Sequence, residues 1–111
     1  MGTLISLSPG GQAAKLTVDR DIDDRVRPAI ESAATRLPSS VRRVTLDLAR
    51  VGFVDSALLH LVLTIDQALT PRGGLLRIVG LHPQPRRLLS LAAELSPDDR
   101  WDRYLSSPGP S

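Results

Sequence analysis

Residues 42–69 constrain the fold more than any other stretch. RRVTLDL alternates, with Val44, Leu46 and Leu48 on one side and Arg43, Thr45 and Asp47 on the other. That period of two belongs to a strand with one buried face. VGFV, residues 51–54, reads as its continuation or resumption. From Ser56 to about Leu69 the spacing turns helical, yet the segment is apolar on almost every side. Leu58, Val62, Ile65 and Leu69 form one stripe, and Leu59 and Leu63 form another. A helix this apolar cannot lie with one face in water. A sheet must take one side, and neighbouring helices or a partner must take the rest.

The flanking segments extend this βα unit. Residues 3–8 and 12–18 read as two strands separated by the turn signal Pro9-Gly10-Gly11, a plausible hairpin. Ile22, Val26, Ile30, Ala33 and Leu37 then recur at helical spacing. Pro28 sets the helix start near residues 25 to 27, because proline is tolerated in a first turn, and Pro38 stops it. Pro71-Arg72-Gly73-Gly74 ends the apolar helix, and LLRIV, residues 75–79, reads as a short buried strand. Pro83 and Pro85 precede a helix bearing Leu88, Leu91, Ala92 and Leu95. Ser96-Pro97-Asp98-Asp99 has the cap, proline and acids of one more helix start. Trp101, Tyr104 and Leu105 would pack back from it.

The predicted order is β-β-α-β-α-β-α-α. Strands alternating with helices imply parallel pairs with right-handed crossovers. The expected fold is α/β, a mixed four-stranded sheet with helices mainly on one face. One domain spans residues 1–111, with a core of about 3–105 and a tail of 106–111; 111 residues suit a single core.

Composition excludes several functions. With no cysteine, there is no thiol nucleophile and no Cys-type zinc site. Thirteen arginines stand against a single lysine, Lys15, but twelve acids leave a net charge of only +2. The basic runs are pairs, a weak footprint for nucleic acid. No apolar stretch reaches the roughly 18 residues of a membrane span. MGTLISLSPGG lacks the basic region and apolar length of a signal peptide. The expectation is a cytoplasmic protein with no cofactor.

Candidate chemistry narrows to one place. A serine nucleophile needs a base, and His60 lies four residues after Ser56 on the same helix. However, V-D-S-A-L is not the G-x-S-x-G elbow. Asp19, Asp21, Asp23 and Asp24 lack calcium-loop spacing, so Asp23 or Asp24 reads as a helix-start residue. Ser56 itself suits a helix N-cap. A hydroxyl there is also exposed and well placed for phosphorylation, which adds about −1.5 to −2 charges beside Asp55.

The residues resemble a family at this point. A hydrophobic strand, then F/V-D-S, then an apolar helix is similar to the STAS domain of bacterial anti-sigma factor antagonists. There an aspartate and a serine or threonine open the second helix, and the hydroxyl is phosphorylated; Asp55 and Ser56 match. DRDIDDRVRPAI resembles the segment before the first helix, with Asp23 at the acidic position. RGGLLRIVGLHPQPRRLLSLAAEL resembles the Gly-Gly turn, strand and third helix. The resemblance covers roughly residues 12 to 95. It departs at Arg20, Ala57 and Leu58, where the family commonly carries glycine, a second hydroxyl and glycine.

The resemblance implies a binding protein rather than an enzyme. Its unphosphorylated form would bind an anti-sigma factor with serine kinase activity, and phosphorylation of Ser56 would release it. A phosphatase would reset the switch. The implied contact surface is Asp23, Asp55, Ser56, Ala57, Leu58, Leu59 and Val62. Pairing of two copies through exposed leucines stays open. The alternative is a STAS-like scaffold in which Ser56 is only a cap.

Overall fold

The computed structural model describes the backbone of residues 3–7, residues 11–95, and Trp101 and Tyr104. The expected last helix starts at Ser96-Asp99, outside the described residues. Within them the chain runs β1 (Thr3–Leu7), β2 (Ala13–Val18), α1 (Arg27–Thr35), β3 (Arg43–Asp47), α2 (Ala57–Leu69), β4 (Leu75–Val79) and α3 (Pro83–Leu95). Strands β2, β3 and β4 form the parallel part of the sheet, with Leu16 opposite Leu46 and Leu46 opposite Ile78. β1 runs antiparallel along the other edge of β2, so the sheet order is β1-β2-β3-β4.

Alternation decides which face is buried. Ala14, Leu16 and Val18 of β2, Val44 and Leu46 of β3, and Leu76 and Ile78 of β4 all point into the core. They meet Ile30 and Ala34 of α1, Leu58, Leu61, Val62, Ile65 and Leu69 of α2, and Leu89 of α3. Trp101 and Tyr104 are buried in the same core. The Tyr104 hydroxyl donates to Asp66 Oδ1 on α2 at 3.4 Å. The intervening strand residues, Lys15, Arg43, Thr45, Asp47, Leu75 and Arg77 among them, lie on the open face. α1 and α2 also share a polar seam. Thr64 Oγ1 donates to Glu31 Oε2 at 2.9 Å, and Glu31 pairs with Arg27 at 3.1 Å.

Two sequence expectations need adjustment, and one about α1 holds. VGFV is not a strand: β3 ends at Asp47, and only Val54 bridges, in parallel, to Ile22. Pro83 and Pro85 do not precede α3 but sit in its first turn, where their missing N–H groups leave no helical bond unmade. α1 starts at Arg27 with Pro28 in its first turn, as the proline rule requires. No helix among the described residues is long and apolar enough to cross a membrane.

Candidate functional site

The Ile22–Val54 bridge builds the site. It lays the acidic loop after β2 against the segment that leads into α2. Ile22 N donates to Phe53 O at 3.2 Å, and Asp55 N donates to Ile22 O at 3.2 Å. Phe53 N reaches Asp21 Oδ1 at 3.2 Å. From the other side, Gln84 of α3 reads the Val54 peptide twice: Val54 N donates to Oε1, and Nε2 donates to Val54 O, both at 2.9 Å. Two segments distant in sequence, the loop at Asp21–Ile22 and α3, therefore hold residues 53–55 in one conformation.

Asp55 and Ser56 divide the work at the start of α2. Ser56 already has helical angles, φ −60° and ψ −13°, and its hydroxyl makes no capping bond. A capping side chain works from the residue before the helical angles begin. Asp55 holds that place: its Oδ1 accepts from Ala57 N at 2.8 Å, and its carbonyl accepts from Leu58 N at 3.0 Å. The cap expected of Ser56 is thus supplied by Asp55. The Ser56 side chain is exposed and has no fixed partner among the described residues.

Asp23 does the same for α1. Its Oδ1 accepts from Arg25 N at 2.9 Å and Val26 N at 3.1 Å, and its carbonyl accepts from Arg27 N. It remains half-exposed beside the bridge. His60, one turn past Ser56, is exposed.

The expected contact surface needs correction at three residues. Ala57, Leu58 and Val62 are 1%, 0% and 0% exposed and belong to the core. They face the sheet because α2 lies flat on it, so no partner reaches them in the folded domain. Asp23, Asp55, Ser56 and half-buried Leu59 remain at the surface, joined by Phe53, which is 53% exposed. Phe53 carries no surface signal in the sequence, because VGFV has the pattern of a buried strand. The contacts of Gln84 and Asp21 are not legible in the sequence, because a glutamine in a helix and an aspartate in a loop carry no signal of a distant backbone partner.

Gln84→Ala is expected to cost about 1–3 kcal/mol, because the buried Val54 peptide loses its partners. Amide exchange at Val54 and Asp55 should accelerate with it. Unchanged exchange would mean that the Ile22 bridge alone holds the segment.

Residues 5–93 match the family model described as "Mlab, STAS domain". The chain belongs to the STAS domain family. Solved STAS-type structures superpose on it. An anti-sigma factor antagonist from Mycobacterium paratuberculosis matches with a TM-score of 0.70 and 23% identity, over 92% of each chain. A protein of Thermotoga maritima matches with a TM-score of 0.73 and 16% identity, over 83% of this chain and 79% of that one. The anti-sigma factor antagonist SpoIIAA matches in its unphosphorylated form, with a TM-score of 0.67, 15% identity, and 80% and 82% coverage. Its phosphorylated form, from Bacillus, matches with a TM-score of 0.60 and 16% identity, over 91% of this chain and 97% of that one. No curated protein matches the chain. At these identities the likeness is one of fold, and in this STAS domain Asp55-Ser56 opens the second helix.

Proposed function

We propose that this STAS domain is a regulator of the anti-sigma factor antagonist type. Unphosphorylated, it binds an anti-sigma factor with serine kinase activity through Asp23, Phe53, Asp55, Ser56 and Leu59. Phosphorylation of Ser56 ends the binding, and a phosphatase restores it. The protein acts in the cytoplasm as a binding partner rather than an enzyme, and its effect is on sigma-factor-dependent transcription. The observation that carries this reading is the exposed Ser56 hydroxyl, left unused because Asp55 supplies the helix cap. A kinase can therefore take Ser56 without dismantling α2. Neighbours of the same fold include an anti-sigma factor antagonist solved in both phosphorylation states.

The physics of release is direct. A phosphate on Ser56 would stand beside the Asp55 carboxylate and add about −1.5 to −2 charges. Burying that charge against an apolar partner surface without a matching cation is strongly unfavourable.

Ser56→Ala and Ser56→Glu proteins, used side by side as baits in native-host extract with mass-spectrometric readout, test the reading. The alanine bait should retain an ATP-binding, kinase-like protein. The glutamate bait should bind it about 100-fold more weakly or worse, the scale of an unpaired charge at an interface. Incubation of the wild-type chain with that partner and ATP should place phosphate on Ser56. Equal retention by both baits would instead favour the scaffold reading, in which Ala57 and Leu58 mark a switch that no longer operates.

A further inference from the structure

Ser56 follows the C-terminal end of β3. The other end of the sheet, on its open face, carries a separate feature. There Ala13, Arg43, Thr45, Leu75 and Arg77 line a concavity of about 610 Å³. The parallel register makes the arrangement. Ala13, Arg43 and Leu75 form one row across β2, β3 and β4, and Lys15, Thr45 and Arg77 form the next. All six belong to the face away from the helices, and five of them, all but Lys15, line the space.

Charge pairing on this face is uneven. Lys15 Nζ is matched by Asp47 Oδ2 at 3.3 Å. Neither the Arg43 nor the Arg77 guanidinium has a hydrogen bond or ion pair among the described residues. Arg27 is engaged with Glu31, Arg42 with the Arg72 carbonyl, and Arg72 with the carbonyls of Pro38 and Val41, whereas Arg20, Arg36, Arg50, Arg86 and Arg87 resemble Arg43 and Arg77 in having no side-chain partner among the described residues; what sets Arg43 and Arg77 apart is that they share one concavity. Leu75, in the same row as Arg43, is 63% exposed. The concavity thus combines two unmatched guanidinium groups with an apolar floor and the Thr45 hydroxyl. Its volume lies within the roughly 300–1,000 Å³ of small-molecule sites, which share this mixture of apolar lining and few polar groups.

We infer that this face binds an amphipathic organic anion. The carboxylate or other anionic head lies between Arg43 and Arg77, where planar guanidinium groups can each donate two bonds. Thr45 Oγ1 supplies a further donor. The aliphatic or aromatic body lies across Ala13 and Leu75. The site is remote from Ser56 and does not depend on phosphorylation there.

Amide chemical shifts of the 15N-labelled full chain, titrated with decanoate below its aggregation concentration, provide the test. Decylammonium and inorganic phosphate are titrated in parallel. Decanoate should shift residues 13–17, 43–47 and 75–79 saturably. The double replacement Arg43→Gln and Arg77→Gln should weaken binding about tenfold or more, as expected for lost charge-assisted bonds. Arg43 is exposed and Arg77 half-buried, and neither has a side-chain partner among the described residues, so the melting temperature of that variant should stay near wild type. Ser56→Ala should bind decanoate as wild type does. Equal binding of decylammonium would overturn the inference, as would phosphate alone reproducing the shifts at the same concentration. So would shifts confined to other faces, no saturable shift at millimolar decanoate, or undiminished binding by the double variant. Sedimentation showing a dimer that buries this face would overturn it as well.

Discussion

Leu58→Gly is expected to destabilise the domain by about 3–6 kcal/mol, from cavity formation plus the helix cost of glycine. The replacement would restore the residue that the family's switch motif commonly carries, so a motif-level reading treats it as benign. The structure makes it severe. Leu58 is 0% exposed and sits in the core between the sheet and α2. Against the 5–15 kcal/mol typical of small domains, such a loss approaches unfolding. Urea unfolding followed by circular dichroism gives the value; Leu58→Met, which keeps the volume, should lose less than about 1.5 kcal/mol. A loss below about 1 kcal/mol for the glycine variant would mean that position 58 is not part of the core and that the start of α2 is open to a partner.

The second large effect is expected at Gly80, between β4 and α3. Its φ is +74°, and an added Cβ would come within 2.6 Å of Ala49 N and 2.8 Å of Ala49 Cα. Both atoms are backbone in the loop after β3, which cannot step aside as a side chain would. Gly80→Ala should therefore cost about 2–5 kcal/mol, the left-handed penalty plus the overlap. Gly73 separates the two causes. It has a similar φ of +66° but open space around its Cα, so Gly73→Ala should cost only the conformational part, about 1–2 kcal/mol. Equal urea midpoints for the two variants would show that the contact with Ala49 relaxes and that φ alone matters.

The candidate Ser56 surface and the proposed anion site lie at opposite ends of the parallel strands, and the same topology positions both. The parallel register brings the starts of β2, β3 and β4 together at one end, where Ala13, Arg43 and Leu75 form a row. At the other end the chain must leave each strand and cross to a helix. There the loop at Asp21–Asp23 and the segment at Phe53–Asp55 meet through Ile22 and Val54. Function that depends on loops is placed by that crossing, and function that depends on a sheet face is placed by register.

Much of this was legible in residue order. The period of two in RRVTLDL and the near-continuous apolar spacing of 56–69 determine a strand followed by a buried helix, because each pattern has one way to hide its apolar side. Pro28 and Pro38 bound α1, and Gly73 ends the turn after α2, for backbone reasons that need no tertiary partner. Asp55-Ser56 at a helix start is likewise visible in the string. The sequence could not decide which of those two caps α2, because that depends on whether position 56 has already taken helical angles. It could not divide the apolar residues of α2 into core and surface either. Leu58, Val62 and Leu59 look alike in the string, and only the way α2 lies on the sheet buries the first two and leaves the third half-exposed. Nor could it foresee that Gln84 grips Val54 from thirty residues away, or that Lys15 would be neutralised while Arg43 and Arg77 were left unmatched. Local patterns determine elements because their cause is local; partners across the sheet and between loops are chosen by register and crossing, which exist only once the chain has folded.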